Sequence, residues 1–325
     1  MRVLLAVIAV LVVWPATPAF AHDGDAPGAT AYRTAITGIS SPEEGLTVRT
    51  VEAGARLELT NETGHPVEVL GYSGEPYLLV QPDGTWENVN SPATYRNETR
   101  TGETAVPPTA DPTAPPSWRR VSTSTTVRWH DQRTQWLDAG PPPAAVADPA
   151  RSHRLREWAI PLRVQVRTFE IRGTLDWVPP PRTWLWWSGA ALAVLLGTAL
   201  AIRWPRSVTP LALIAGLSPL LYAVTRTLDG DSFPLVLILV GLLPLAAAYR
   251  HPPFYLALAG AVVALFAGFA ETAAFTAAVL PAAGPGWLSR ASVLVALGAG
   301  TGLAMAGVFR LRAAIPAPAG LSSSA

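Results

Sequence analysis

The sequence predicts an all-β extracytoplasmic domain, built as an Ig-like sandwich, followed by an α-helical transmembrane bundle of about five spans. Short segments of alternating apolar and polar residues fill positions 32–178, which is typical of half-buried strands. Longer apolar stretches fill positions 184–309, and a Pro-rich connector at 179–183 joins the two parts. The N-terminus, residues 1–21, has the pattern of a signal peptide. We therefore expect a multi-pass protein of the plasma membrane with its β domain outside.

The signal peptide is predicted from its charge and its length. Arg2 precedes an apolar run from Val3 to Val13, which is too short to cross ~30 Å of hydrocarbon. Small residues then occupy the cleavage positions in Ala19-Phe20-Ala21, so cleavage would leave His22 as the mature N-terminus. A retained N-terminal anchor is the alternative. Residues 22–31 are expected to be a flexible leader to the first strand.

The composition excludes several classes of function. All 24 basic residues other than His are Arg, a codon bias that indicates a GC-rich, actinobacterial source. The chain has no Cys, which excludes a disulfide framework and thiolate metal sites in an exported protein. The net charge is +1, and neither half is basic enough to predict a nucleic-acid partner.

The apolar stretches and the charges between them predict the topology of the C-terminal half. The stretches run from Trp184 to Ile202, Val208 to Val224, Phe233 to Tyr249, Phe254 to Ala270 and Ala291 to Phe309. With the β domain outside, the basic residues between spans fall inside and the acidic ones outside, as the positive-inside rule requires. The inner set is Arg203, Arg206, Arg250, His251, Arg310 and Arg312, and the outer set is Asp229, Asp231 and Glu271. Residues 310–325 are then a disordered cytoplasmic tail.

Small residues and one carboxylate stand out within the predicted helices. Gly260, Ala264 and Gly268 form a stripe on the fourth span, and Gly298, Gly302 and Ala306 form another on the fifth. Such stripes let helix backbones approach closely, so these two helices are predicted to pack together. Glu271 lies at the outer end of the fourth span. One prediction is that Glu271 has a functional role with an ion or a proton. The alternative is that it is a solvent-exposed residue at the helix end, paired with Arg290.

Two strand pairs are predicted in the β domain. Alternation at Leu57–Leu59 and Val67–Val69, around the turn Asn61–Gly64, predicts a hairpin with one buried face. A second alternating segment changes parity after Val166, which predicts a turn near Arg167–Thr168. Five tryptophans are expected to supply much of the core, namely Trp86, Trp118, Trp129, Trp136 and Trp158.

The residues with the most suggestive chemistry form a candidate copper(II) site. The α-amine of His22 has a reference pKa of about 7.7 to 8.0 and can chelate one copper(II) ion together with its own imidazole. Asp23, His130 and Asp131 supply further nitrogen and oxygen ligands. The alternative is that Ala-x-Ala-His arises by chance at the cleavage site.

A dense polar and aromatic segment runs from Trp129 to Trp136. Its residues Trp129, His130, Arg133 and Trp136 are predicted to form a surface for an envelope protein or polymer partner. The alternative is a structural turn in which Asp131 satisfies backbone groups. No Gly-x-Ser-x-Gly, His-Glu-x-x-His or phosphate-loop motif is present, so no catalytic residues are predicted and the protein is expected to be non-enzymatic.

Three runs carry a family resemblance, namely Ala55-Arg56-Leu57-Glu58-Leu59-Thr60-Asn61, Val69-Leu70-Gly71-Tyr72-Ser73-Gly74-Glu75-Pro76-Tyr77-Leu78 and Ser91-Pro92-Ala93-Thr94-Tyr95. With them the chain resembles a group of uncharacterised actinobacterial exported multi-span membrane proteins. In layout it is also similar to copper-resistance proteins that join a periplasmic sandwich, beginning with a copper-binding His, to a membrane domain. It departs from them in lacking an Asp-x-His pair and a Met-rich patch, since its only methionines are Met1 and Met305.

These observations predict a non-enzymatic envelope protein whose exterior domain binds a ligand, with copper(II) as the named candidate, at the outer face of the bundle. The alternative is an assembly or scaffold protein that docks a protein or polymer. A component of a small-solute or ion transporter is third, because the predicted helices carry few intramembrane polar residues.

Overall fold

The computed structural model describes residues 28–231, 234–250 and 252–314. The predicted signal peptide, the metal candidates His22 and Asp23, and most of the predicted tail lie outside the described residues.

The N-terminal half of the described chain forms ten antiparallel strands in two sheets. The strands are β1 (Tyr32–Ile39), β2 (Leu46–Val51), β3 (Arg56–Asn61), β4 (Val67–Leu70), β5 (Pro76–Gln81), β6 (Gly84–Asn88), β7 (Trp118–Ser122), β8 (Thr126–Trp129), β9 (His153–Val164) and β10 (Arg167–Trp177). The larger sheet has the order β1-β10-β9-β4-β5-β6-β7, and the smaller sheet has the order β2-β3-β8. The predicted two-sheet β region is therefore confirmed.

The two sheets share one hydrophobic core. Leu57 and Leu59 from the smaller sheet pack with residues such as Val67 and Ile160 from the larger sheet, and all four are fully buried. The tryptophan prediction was wrong in part. Trp129 and Trp158 are buried, whereas Trp86, Trp118 and Trp136 are only half-buried. Aliphatic residues on the inner faces therefore supply more of the core than expected.

One predicted strand pair is confirmed and the other was wrong. β9 and β10 form a hairpin whose turn is Gln165–Val166, slightly before the predicted position, with Gln165 in the left-handed region at φ 56°. In contrast, β3 pairs with β2 and β8, whereas β4 pairs with β5 and β9. The segment between β3 and β4 crosses from one sheet to the other, because both strands turn their apolar faces into the same core.

The C-terminal half consists of apolar helices that follow two short helices in the β region. Their bounds are α1 (Pro92–Arg96), α2 (Pro143–Ala147), α3 (Thr183–Arg203), α4 (Val208–Leu228), α5 (Leu235–Arg250), α6 (Pro253–Val262) and α7 (Gly286–Ala314). After α6 the chain continues through a π-helical turn, Val263–Gly268, and a 3₁₀ segment, Phe269–Phe275.

Among the residues that the structure describes, four helical segments are long and apolar enough to cross a membrane. They are Thr183–Arg203, Pro205–Leu228, Pro253–Phe275 and Gly286–Ala314. Helix α5 is equally apolar, but its 16 residues give it a length of only about 24 Å. The described part of the chain thus contains four long apolar helices, where the sequence predicts about five spans.

Close backbone contacts hold the helices together. Gly260 on α6 faces Gly300 and Ala304 on α7, which confirms that the predicted fourth and fifth helices pack together. The predicted stripe on α7 is used differently, since Gly298 and Gly302 face Gly197 on α3. Helix α7 therefore carries two small-residue faces, one toward α6 and the other toward α3.

Candidate functional site

Two of the predicted metal ligands, His130 and Asp131, lie in the described part of the chain, and both are buried and hydrogen-bonded within the β region. His130 is 2% exposed and Asp131 is 0% exposed. The Nδ1 atom of His130 lies 2.9 Å from the carbonyl oxygen of Ala55, and Arg56 Nε donates to His130 Nε2 at 3.0 Å. This pattern assigns a neutral imidazole that donates from Nδ1, so both ring nitrogens are occupied. In the described part of the chain, no group of three or more His, Cys, Asp or Glu residues could hold a metal ion.

Asp131 organises the segment that follows β8. Its carboxylate accepts hydrogen bonds from Arg133 Nε and Nη2, each at 2.8 Å, and from the backbone N–H of Arg133 at 3.1 Å. The last of these caps the 3₁₀ turn Gln132–Thr134. Trp129 Nε1 also donates to the carboxylate, at 3.3 Å. A buried carboxylate with this many donors is a structural centre of the domain.

Two of the four residues of the predicted partner surface are buried, and the other two are partly exposed. Trp129 and His130 are buried, so their side chains offer no surface to a partner. Arg133 lies over the ring of Tyr72 at 4.9 Å and stays partly exposed, as does Trp136. The segment thus fits the structural alternative more closely than the docking prediction.

Glu271 and Arg290 do not form the predicted pair in the described structure. Glu271 lies 3.7 Å from Arg226 on α4, which also pairs with Asp231 at 2.8 Å. Arg290 is buried and donates to the carbonyl oxygens of Ala274 and Ala277, at 2.9 and 2.8 Å. The sequence prediction failed here because the end of the 3₁₀ segment places carbonyl groups, and not the carboxylate, in front of Arg290.

The β region rests on one end of the helix bundle, and we call this contact the junction. It is formed by the smaller sheet and the 3₁₀ turn Glu52–Gly54 on one side, and by residues 228–231 and 278–286 on the other. A second strand-like contact joins Thr30 to Val279, whose backbone groups exchange two hydrogen bonds at 2.8 and 2.9 Å. The two halves of the described chain are therefore directly hydrogen-bonded to each other.

The 3₁₀ turn contributes two successive N–H groups to the junction. Glu52 N–H donates to the carbonyl oxygen of Asp229, and Ala53 N–H donates to its Oδ2 atom, both at 2.8 Å. Both turn residues lie in the left-handed region, at φ 58° and 59°, which costs on the order of 1 kcal/mol for each non-glycine residue. Consecutive N–H groups in such a turn form a concave anion-binding arrangement, and Asp229 occupies it.

Two arginines of the smaller sheet bind the end of α4. Arg49 and Arg128 lie directly opposite Glu58 in the β-ladder, and each pairs with its carboxylate at 2.6 Å. Arg49 Nη1 then donates to the carbonyl oxygen of Leu228 at 3.2 Å, and Arg128 Nη1 donates to that of Gly230 at 2.6 Å. We call Arg49, Glu58 and Arg128 the arginine clamp. It places positive charge at a helix C-terminus, where the helix dipole favours it.

The environment shifts the pKa of the acidic groups at the junction in opposite directions. Burial acts to raise the pKa of Glu58, but the hydrogen bonds from Arg49 and Arg128 outweigh burial and hold this pKa below its ordinary value. Burial raises the pKa of Glu52 and of Asp229 above their ordinary values, because nearby donors and arginines only partly offset it.

Two cavities lie at and beside the junction. The junction cavity has a volume of about 260 Å³ and is lined from both sides, for example by Arg33 and Thr34 of the β region and by Asp229 and Ala278 near the helices. The second cavity, of about 130 Å³, lies within the β region, and Glu52 is among its lining residues. We call it the Glu52 cavity.

The sequence pattern of β3 does not by itself indicate the arginine clamp. Glu58 alternates with Leu57 and Leu59 on β3, and a charged residue in that position normally marks a solvated strand face. In this structure the polar face of β3 lies against the end of α4. The alternation of charged and apolar residues on β3 therefore marks a contact inside the protein and not a solvated surface. Comparisons with protein-family models, curated proteins and solved structures find no match for this chain.

Proposed function

We propose that this chain is a non-enzymatic cell-envelope membrane protein that binds a small ligand at the junction, on the outer face of its helix bundle. The observation that carries this proposal is the junction cavity, because its walls come from both halves of the chain. A ligand in this cavity would contact the β region and the helices together. The free energy of ligand binding would then stabilise the contact between the β region and the helices. A higher ligand concentration would therefore favour the docked arrangement of the two halves.

The contacts at the junction also support a topology of five spans with the β region outside. Residues 228–231 and 278–286 both touch the β region, and each follows a segment of spanning length. They lie on one side of the membrane only if α5 crosses as well. A helix of 16 residues can do so where the bilayer thins or flanking side chains snorkel. Signal-peptide cleavage, an Ig-like relationship of the sandwich and a plasma-membrane location belong to the same proposal.

Among possible ligands we propose copper(II), and one observation favours it. Gly28 lines the Glu52 cavity, and His22 precedes it by only six positions. Six Cα–Cα steps span at most about 22 Å when fully extended, which is the largest distance at which a mature N-terminal His22 can lie from Gly28. The scaffold hypothesis has no comparable support, since Trp129 and His130 of the predicted partner surface are buried.

Hydrogen exchange on the full chain in detergent micelles tests the proposal. The titrated solutes are copper(II), small ammonium ions, small carboxylates and sugars. A ligand of the junction is expected to slow exchange at both Glu52–Gly54 and residues 228–231. The substitution Ala278→Phe, which fills the junction cavity, should abolish this protection.

The matched control is Ala144→Phe, an exposed position on α2 that should leave the protection intact. Protection that survives Ala278→Phe would place the ligand elsewhere. The absence of protection by every solute class would overturn the proposed function.

A further inference from the structure

The end of the helix bundle that lies away from the junction carries several arginines. Helix α3 ends at Arg203, and Arg206 follows it in the turn that leads to α4. Arg310 and Arg312 lie near the end of α7. Arg310 Nη2 donates to the carbonyl oxygen of Pro205 at 2.9 Å, which brings the end of α7 beside the turn between α3 and α4. We call Arg203, Arg206, Arg310 and Arg312 the basic cluster.

The arginines of the basic cluster lie at a similar depth along the bundle. Gly197 of α3 faces Gly302 of α7, so these two glycines mark a common level on the two helices. At 1.5 Å per residue, Arg203 lies about 9 Å beyond Gly197, and Arg310 lies about 12 Å beyond Gly302. The hydrogen bond from Arg310 to Pro205 agrees with this level. The cluster therefore forms one layer of positive charge at the end of the bundle.

No carboxylate side chain balances this charge. Residues 179–325 include only three acidic residues, namely Asp229, Asp231 and Glu271. Asp229 and Asp231 belong to the junction, and Glu271 lies 3.7 Å from Arg226, close to the junction end of α4. Because α4 has 21 residues and is about 30 Å long, these acidic residues and the basic cluster lie at opposite ends of the bundle. Within the described chain, the exposed arginines of the cluster thus have no acidic partner.

The helix surface beside the basic cluster is apolar and exposed. Only 17% of the most apolar stretch of α3 is buried within the protein, compared with 56% for the segments that contain α4 and α7. Near the end of α3, Ile202 and Trp204 are 55% and 60% exposed. In a membrane such a face contacts acyl chains, and a tryptophan at the end of a spanning helix lies at the level of the headgroups. Positive charge and a surface for acyl chains are therefore adjacent on α3.

We propose that the basic cluster binds the headgroup of an anionic phospholipid in the leaflet that faces away from the β region, with the acyl chains along the exposed face of α3. A guanidinium group can pair with two phosphate oxygens through parallel hydrogen bonds. A zwitterionic lipid also brings a cation, which finds no carboxylate side chain at this end of the bundle, whereas an anionic lipid brings only the charge that the arginines attract. This inference does not depend on the ligand of the junction, since the two sites lie at opposite ends of α4.

Tryptophan quenching of the full chain in bilayers tests this proposal. The bilayers consist of phosphatidylcholine with a minor share of one lipid whose acyl chains are brominated, either phosphatidylglycerol or phosphatidylcholine. Bromine quenches tryptophan fluorescence on contact, and the difference between the native chain and Trp204→Phe isolates the emission of Trp204. We expect brominated phosphatidylglycerol to quench Trp204 more strongly than brominated phosphatidylcholine does, because the anionic lipid is enriched beside it.

Variants of the cluster test which residues cause this preference. Arg203→Gln combined with Arg206→Gln should abolish most of it, since each arginine is expected to contribute roughly fivefold to the affinity for an anionic lipid. Arg203→Lys combined with Arg206→Lys keeps both charges and should retain most of the preference. Arg182→Gln is the matched control, because Arg182 is exposed at the opposite end of α3, and it should leave the preference unchanged.

Equal quenching of Trp204 by the two brominated lipids would overturn the proposal. So would a preference that persists when Arg203 and Arg206 are both replaced by Gln, or one that disappears in Arg182→Gln. Inorganic phosphate, compared with chloride at the same ionic strength, is the remaining probe. If it stabilises the chain in micelles through Arg203 and Arg206 while the two brominated lipids quench equally, the cluster binds soluble phosphate and not a lipid headgroup.

Discussion

Arg128 connects the two halves of the chain by donating a hydrogen bond from Nη1 to the carbonyl oxygen of Gly230 at 2.6 Å. Its Nε atom is held at the same time by Glu58, also at 2.6 Å. Glu58 is thus the residue that fixes the direction of the guanidinium group. The adjoining backbone leaves little room for adjustment, because a β-carbon on Gly230 would lie 2.7 Å from Cβ of Val51. The docking of the β region is therefore specific in geometry as well as in charge.

Substitution of Glu58 should loosen the junction without unfolding the β core. Glu58→Gln removes the charge that pairs with Arg49 and Arg128, and the loss of charge-assisted hydrogen bonds should lower the free energy of unfolding by about 1–3 kcal/mol. Hydrogen exchange at residues 228–231 should accelerate, whereas exchange in β9 and β10 should not change. Glu157→Gln serves as the control. Unchanged exchange at residues 228–231 would show that the arginine clamp does not hold the junction.

The pH dependence of stability should have opposite signs at Asp229 and Glu58. Burial raises the folded-state pKa of Asp229, so the contribution of this residue is fully present below its unfolded pKa, about 3.9, and is lost as pH rises through its folded pKa. Asp229→Asn keeps an oxygen that can accept from Ala53 N–H but cannot ionise. The variant should match the native chain at acid pH and become the more stable of the two as pH rises.

Glu58 provides the contrasting case. Its folded-state pKa is lowered, so its contribution is present above its unfolded pKa, about 4.3, and is lost as pH falls through its folded pKa. The deficit of Glu58→Gln relative to the native chain should therefore shrink on acidification. Thermal unfolding of the three chains from pH 3 to 8 measures both differences. Parallel curves for the two variants would contradict the assigned shifts.

Asp131 should prove to be a folding residue and not part of a docking surface. Asp131→Asn leaves the largely buried guanidinium of Arg133 without its carboxylate, which should cost about 3 kcal/mol or more in the free energy of unfolding. Denaturant unfolding of the full chain gives this value. Asp138→Asn, at an exposed site, should have an effect within about 0.5 kcal/mol. A stable Asp131→Asn chain that lost an envelope partner would restore the docking hypothesis.

The class of the fold could be predicted because its signals are local. Period-two alternation and apolar length each require only a short window, and both identified the correct half of the chain. Sheet membership could not be predicted, because Leu57 on β3 and Val67 on β4 face one core from different sheets. The partners of small residues were ambiguous for a similar reason. Gly298 and Gly300 lie on different faces of α7, and the sequence does not say which helix each face meets.

The junction was beyond sequence reasoning for a different physical reason. Glu52 and Asp229 are distant in sequence and become a site only when the turn after β2 adopts left-handed backbone angles. Two of the three residues at these angles, Glu52 and Ala53, are not glycine, so Gly54 alone gives the usual sequence signal for such a turn. The candidate metal residue His130 shows the reverse case. Its chemistry was visible in the sequence, but its two ring nitrogens are occupied by groups from β3 and the residue before it.

The contact between α6 and α7 should be the most sensitive packing site in the bundle. A β-carbon on Gly300 would lie 3.0 Å from the carbonyl oxygen of Gly260 on α6 and 2.8 Å from the backbone nitrogen of Ala264 in the π-helical turn that follows. Gly300→Leu therefore forces the two helices apart. Overpacking of this kind should lower stability by about 1–3 kcal/mol, as judged from thermal unfolding in micelles. Leu258→Phe, on an exposed face of α6, is the control and should have little effect. An unchanged melting temperature for Gly300→Leu would show that this contact does not limit stability.

Copper(II) binding should depend on the chemical state of the N-terminus. A chain that begins with a free His22 can chelate copper(II) through its α-amine and imidazole, whereas one extra residue ahead of His22 removes that amine from the chelate. Titration of both full-length mature chains should therefore give sub-micromolar affinity for the first and at least about tenfold weaker affinity for the second. His153→Ala, at a half-buried position remote in sequence, is the control and should leave the stronger affinity intact. Equal and weak binding by both chains would overturn the copper prediction.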